Sequence, residues 1–599
     1  TMDFISLIKL IALCLAVGAS ASFVFGYFAF GNEPKPKRKG PPEFEDEFDE
    51  NDNDEEEKIQ QVVGTFDELQ NGEMKECKVA GKNVLLVKDS DNVYAIGSKC
   101  THLGAPLKNG VVADGHVRCP WHGACFSLKT GDIEEHPCEN ALKRFDLKKQ
   151  KNGDLLLTAN KSDLMSQHRE PNFVKASKSN KKVAVVIGAG AAGGLAVEGL
   201  RQNGFSGKIV MIGNEKLLPY DRTKLSKALS SVGSKLQCRD QEFYDNLNIE
   251  LKLNTTVVDF DAKNKTLKFS ENNKSKEEEL KFDYAVLATG GTPRSLPIDG
   301  FKLKNVYQLR TPEHSNAIAK SVSKSSKVVI IGSSFIGMEA AAALVSKAAS
   351  VHVIGMEKVP FERVLGKAIG GRMQSLHESK GVVFHMERIV KKIVDNGNGA
   401  VAAVVLDNGD ELDVDVCVVG AGVVPTTKFV SGLETFRDGS IVCDETLQAA
   451  PGIFAVGDIC RFPYACSNDG SSIRVEHYGF AQQQGRIAGK NIALLDAKRK
   501  PQALQSVPFF WTAQFGKSLR YAGHAFHYDT VDIDGDLEGL SFVGVLSQDD
   551  VVAAIVTLGR DPVCAAAAEL FALDAMPAAS EWRRAHKPDL VKLLADTQK

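Results

Sequence analysis

Residues 183–194 read VAVVIGAGAAGG: a short apolar strand, then a turn whose glycines Gly188, Gly190 and Gly193 open a helix. That geometry aims backbone N–H groups at a pyrophosphate seated on the helix start. Glu215 follows the next apolar strand, KIVMIG, at the distance where a carboxylate holds a ribose. A second unit of the same kind lies at 328–339, VVIIGSSFIGME, with Gly332 and Gly337 in its turn and Ser334 where the middle glycine usually stands. It is inserted between AVLATGGTPRSLP (285–297) and IFAVGD (453–458). After its paired strand VHVIG comes Glu357, while Gly355 takes the usual carboxylate position. A carboxylate at a ribose 2′-hydroxyl favours NADH over NADPH, although Lys358 and Arg363 lie nearby. Apolar strands alternating with helical segments from Lys182 onward give an α/β architecture.

Upstream, residues 61–160 read as short strands with turn punctuation, an all-β domain. Within it stand CTHLGAP (100–106) and CPWHGACF (119–126). Cys100, His102, Cys119 and His122 offer one thiol and one imidazole from each of two loops. That is the donor set of a Rieske [2Fe–2S] cluster, in which one iron takes two thiolates and the other two imidazoles. A zinc site uses the same residue types, but the glycines of HLG and WHG, which let tight loops close over a cluster, favour the cluster. Both loops resemble those of Rieske proteins. The disulfide cysteines of the respiratory-complex subtype are replaced by Ala105 and Trp121, and its sulfur-bonding hydroxyls by Ala124 and Phe126. Fewer hydrogen bonds to sulfur imply a potential at the low end of the Rieske range, about −150 mV. Cys77, Cys125 and Cys138 are read as non-ligands.

The 599 residues exceed a single hydrophobic core. A net charge of −3 leaves no basic excess, so nucleic acid is excluded as a partner. Twelve scattered cysteines suit a reducing compartment more than a disulfide framework. From Leu10 to Asn32 no residue is charged, a run long enough to cross a bilayer. Lys35, Lys37, Arg38 and Lys39 follow it, so the positive-inside rule leaves the bulk of the chain cytosolic. A signal peptide cleaved after Ala19-Ser20-Ala21 and a buried helix are the other readings. Residues 43–57 carry eleven carboxylates in fifteen positions, the mark of a solvated tether. The expected layout is a transmembrane anchor at 4–30, an acidic tether at 31–60 and a Rieske domain at 61–160. A first dinucleotide fold at 181–310 and 438–500, a second at 311–437, and an α+β C-terminal interface domain at 505–599 complete it. The resulting placement is membrane-anchored with cytosol-facing catalytic domains, at the mitochondrial outer membrane or endoplasmic reticulum.

The insertion of one dinucleotide fold within another resembles the glutathione-reductase-like flavoproteins. Cys238 stands alone in its region, which argues against disulfide reduction. LPYDRTKLSK (218–227), ATGGTPRSLP (288–297), RVEHYGFAQQQGRIAGKNI (474–492) and FFWTAQFG (509–516) resemble the oxygenase-coupled ferredoxin reductases and the apoptosis-inducing-factor flavoproteins, in particular their Rieske-bearing branch. Thr223 and Lys224 replace the usual prolines of the first motif. The resemblance implies that Val257, Arg222, Lys227, Arg294, Asp458, Glu476, His477 and Trp511 bind FAD. Lys227 would lie near flavin N5, with Glu476, His477 and Trp511 facing the ring as catalytic residues, and Gly422 would approach the nicotinamide nucleotide. FAD, NAD(H) and a [2Fe–2S] cluster are the implied cofactors. Because NADH gives two electrons and a [2Fe–2S] cluster takes one, the expected activity is a flavoprotein reductase. It passes electrons from NADH through FAD to its own cluster and on to an unknown one-electron acceptor protein. The family also admits a pro-apoptotic or redox-signalling role.

Overall fold

Asp154–Asn160, DLLLTAN, alternates half-buried and buried positions, turning Leu155, Leu157 and Ala159 inward, as one-sided antiparallel strands require. It sits in a six-stranded antiparallel sheet ordered Lys58–Thr65, Asp154–Asn160, Arg144–Lys149, Asn92–Gly97, Lys82–Asp89, Met74–Val79. A second sheet of four short strands, Val111–Ala113, His116–Arg118, Cys125–Ser127 and Ile133–Glu135, carries the second cluster loop between its middle strands. Beyond residue 160 the chain folds back onto this domain. Helix Lys161–Ser166 buries Leu164, and His168–Arg169 pairs with Ala141–Leu142.

The chain is seen in a computed structural model that describes residues 57–598 apart from 231, 232, 273, 275 and 467–469. The expected anchor at 4–30 and nearly all of the expected tether lie outside the described residues. The tether reading overran by three residues, since the first strand opens at Lys58. Among the described residues no helix is long and apolar enough to cross a membrane. The longest, Tyr478–Asp496, carries Arg486 and Lys490 in its interior. The membrane-anchored, cytosol-facing placement is therefore corrected: no described helix can span a bilayer.

The strand VAVVI is buried along nearly its whole length, its sheet sharing a core with helices Ala191–Gln202 and Tyr478–Asp496 and with strands Thr255–Asp261 and Thr266–Glu271. The order is Ile249–Lys252, Lys208–Ile212, Val183–Ile187, Tyr284–Leu287, Ile453–Ala455, Gln448–Ala450, parallel but for the last strand. Ile453–Ala455 thus returns to the first fold after the inserted one. The inserted sheet is parallel: Val306–Gln308, Val416–Val419, Lys327–Ile331, Ser350–Ile354, Val382–His385. Val306–Gln308 therefore belongs to the second sheet although it precedes residue 311, and Val430–Ser431 pairs back with Phe260–Asp261 of the first fold. The C-terminal domain is a five-stranded antiparallel sheet, Phe509–Gln514, Lys517–Gly523, Val551–Leu558, Ser541–Gln548 and Thr530–Asp536, with helix Val563–Ala572 packed on it.

The Rieske-like domain is docked on this frame. Val111 and Ala113 share a hydrophobic core with Phe509, Val543 and Leu570 of the C-terminal domain. Arg118, fully buried, is held by Glu135 at 2.7 Å and by Glu569 of the C-terminal helix at 2.5 Å. From helix Tyr478–Asp496, Gln483 and Arg486 both donate to the Glu134 carbonyl.

Candidate functional site

The two cysteine–histidine loops are copies of one turn. Cys100 N–H donates to Ala105 O at 2.9 Å and Gly104 N–H to Cys100 O at 2.9 Å. In the second loop Cys119 N–H donates to Ala124 O at 2.7 Å and Gly123 N–H to Cys119 O at 3.3 Å. Gly104 and Gly123 both have φ of +75°, a backbone region that side chains with a Cβ disfavour. This is the physical reason for the HLG and WHG glycines. The loops bring Nδ1 of His102 and Nδ1 of His122 to 3.0 Å, and bury Cys100 and Cys119. Burial pushes the His102 imidazole down to about 4, against the pull of Asp221, and His122 down to about 3, with His102 adding to the effect. Both are thus neutral, the form that binds metal. Among the described residues no three His, Cys, Asp or Glu side chains gather around one ion. A single zinc would need four converging donors; a two-iron cluster needs a sulfur pair and an imidazole pair, which is what the loops present.

Behind the imidazoles lies a cavity of about 510 Å³. Its first-fold wall includes Gly188, Gly190, Glu215, Arg222, Lys227, Val257, Asp458, Glu476 and His477. Trp511 of the C-terminal sheet and Gly422 of the second fold complete it. At Gly190 a Cβ would meet nothing within 4 Å, so the helix start stands open to a ligand, whereas at Gly193 it would strike Gly188 O at 1.8 Å. Gly193 closes the turn; Gly337 does the same against Gly332 O in the second fold. Of the residues expected at the nucleotides, Gly193, Arg294, Gly332, Gly337 and Glu357 lie outside the cavity wall. Arg294 ties its backbone N–H to Gly422 O at 2.9 Å, and the Glu357 carboxylate is held by Arg363 at 2.8 Å and Ser333 at 3.3 Å.

Several cavity residues escaped the sequence reading. Glu339, buried, comes from the second fold and pairs with Lys227 Nζ at 2.8 Å while accepting from Thr512 at 2.7 Å and from Ser226. It sits two residues past Gly337, so the motif already contained it. Arg310 pairs with Asp458 at 3.0 Å, and Tyr220 joins Arg222 in donating to Glu215. Desolvation raises the Glu476 carboxyl, opposed by Arg474 at 2.6 Å, although the open cavity leaves that side chain 39% exposed. Burial holds the His477 imidazole down at about 3. Its Nδ1 is buried in the wall with no partner among the described residues, a polar atom left for a ligand. Trp511 stands between the two sites, its ring centre 4.4 Å from that of His122 and 6.0 Å from that of His102.

A family model described as pyridine nucleotide-disulphide oxidoreductase matches residues 182–485, the whole cavity apart from the C-terminal strand. The chain belongs to that family. Models of the Rieske [2Fe-2S] domain and the reductase C-terminal domain match residues 59–146 and 509–593 of this oxidoreductase. It is similar to apoptosis-inducing factor 3 of Mus musculus, 38% identical with 86% of this chain and 84% of that protein covered. It also resembles rhodocoxin reductase of Rhodococcus erythropolis, 32% identical over 59% of this chain and 81% of that protein. A crystal structure of the covalent putidaredoxin reductase–putidaredoxin complex matches with a TM-score of 0.64 at 27% identity, covering 70% of this chain and 99% of that one. This member of the pyridine nucleotide-disulphide oxidoreductases is a ferredoxin-reductase-like enzyme with FAD, NAD(P)H and [2Fe–2S] cofactors. Despite the family's name, none of its described cysteines is in a disulfide, and Cys238 Sγ meets Tyr478 Oη at 3.4 Å.

Proposed function

We propose that this enzyme passes electrons from NADH through FAD to its own Rieske cluster and then to a one-electron acceptor protein. The observation that carries this reading is Trp511, whose indole touches the His122 imidazole on one side and lines the cavity on the other. When bound, FAD supplies the exchange between two-electron and one-electron chemistry. The protein supplies position and electrostatics. Glu215, fixed by Arg222 and Tyr220, and the open helix start at Gly190 would hold the adenosine diphosphate half of FAD. Lys227, steadied by Glu339, keeps a cation inside the cavity where a reduced ring carries negative charge. His477 and Glu476 would bond the ring from the start of helix Tyr478–Asp496. Glu357, on the loop behind the second sheet, would take the ribose 2′-hydroxyl of NADH; the carboxylate repels a 2′-phosphate. Fixed docking replaces diffusional encounter with a standing contact.

Anaerobic mixing of the holoenzyme with NADH, followed at the flavin and cluster absorbance bands, tests the order. Both centres are expected to be reduced, with the cluster's rate independent of protein concentration. Flavin bleaching while the cluster stays oxidised overturns the reading.

A further inference from the structure

The cluster loops match in backbone but differ in what reaches their sulfurs. Backbone N–H groups of Trp121 and His122 hydrogen-bond toward the Cys119 sulfur, and that of His102 toward Cys100. Beside Cys100 stands another thiol. Cys138 Sγ lies 3.8 Å from Cys100 Sγ and is 1% exposed. It belongs to neither loop but to the segment after strand Ile133–Glu135, and several contacts fix that segment. Thr101 Oγ1 donates to Asn140 O at 2.6 Å, tying it to the first loop. The His136 ring Nδ1 meets Cys138 O at 2.9 Å. Arg239, from the first dinucleotide fold, donates to Glu139 O and, at 3.1 Å, to Asn140 Oδ1. Nearby, Ala124 and Phe126 are fully buried and carry no hydroxyl.

We infer that Cys138 is a positioning residue of the cluster, donating its S–H hydrogen bond to the Cys100 sulfur and raising the cluster's reduction potential. The inference rests on the cluster reading above. Ligated to iron, Cys100 is a thiolate and only accepts, so the proton in the contact is that of Cys138. Reduction adds negative charge to the cluster and its sulfur ligands, and a hydrogen bond to that charge favours the reduced form. The thiol from the third segment thus does what the missing hydroxyls at positions 124 and 126 would do. The sequence-based expectation of a potential at the low end of the range is correspondingly too low. No bond is made or broken, and no further reactant is needed.

The test uses the holoenzyme, C138A and C138S. Electron paramagnetic resonance of the reduced proteins comes first: a Rieske signature in the unaltered protein upholds the cluster reading, and its absence sinks that reading and this inference with it. Given the signature, the spectroelectrochemical midpoint potential is expected to shift negative in C138A. In C138S, whose hydroxyl is the stronger donor, it is expected to shift positive. Resonance Raman bands of the iron–cysteine stretch should move in deuterated solvent for the unaltered protein and move less in C138A, where only the backbone N–H donors remain. An unchanged potential in C138S, or a C138A protein with an intact signature, unchanged potential and unchanged deuterium shift, overturns the inference. C138S carries the test if C138A fails to fold.

Discussion

The two cluster loops share a backbone turn yet live in different surroundings. Loop 119–124 is gripped from outside its own domain. Arg118, the residue before it, reaches Glu569 and also donates to Gly123 O at 2.8 Å. Arg520 donates to Trp121 O at 2.8 Å, and the Phe509 ring lies where a Cβ on Gly123 would come within 2.7 Å. Loop 100–105 touches its own domain through Thr101 and Cys138 and leaves Leu103 59% exposed, with nothing within 4 Å of a Cβ on Gly104. The repeat builds the metal site, and the asymmetry outside the repeat builds the docking. One loop faces the donor side of the electron path; the other keeps an apolar side chain open to solvent.

The comparison breaks most completely at Glu569. E569A leaves the Arg118 guanidinium buried with Glu135 as its remaining carboxylate, a loss of about 3–5 kcal/mol typical of a broken buried pair. Denaturant unfolding should register it, and cluster reduction by NADH should slow while flavin reduction does not. A smaller contrast comes from matched glycines. G104A meets only the left-handed backbone penalty of about 1–2 kcal/mol. G123A adds overpacking against Phe509, typically about 1–3 kcal/mol more, so parallel melting curves should place G123A below G104A. Equal losses would mean that the Phe509 contact is immaterial. The smallest effect on stability is that of L103S, within about 0.5 kcal/mol for an exposed position. Its expected consequence is a slower turnover of an external one-electron acceptor with unaltered internal reduction, read by steady-state assay beside stopped flow.

The glycine turns, the repeated Cys–His loops and the strand–turn–helix order were legible because local spacing alone dictates them. Gly193 must be glycine for a reason confined to a dozen residues, because a Cβ there would strike Gly188 O. What escaped the sequence depends on long-range pairing. Glu569 lies in the Ala-rich helix VCAAAAELFA, 451 residues from Arg118, with no motif to mark it as a docking partner. Lys227 was legible but Glu339, its counter-charge, was not, since its meaning depends on two folds closing on each other. Cys138 is unremarkable until the third segment is laid over the first loop. Val306–Gln308 is too short for its pattern to reveal which of two parallel sheets it joins.

The contact between Arg118 and Glu569 also orders events during synthesis. The β domain is complete once Arg169 has left the ribosome, but its docking partner lies 400 residues later. At about 5–20 residues per second, translation of that stretch takes about 20–80 s. For that interval the second loop has no Phe509 against it, and its arginine has Glu135 but not Glu569 beside it. The late appearance of one glutamate thus leaves the second loop undocked while the rest of the chain is made.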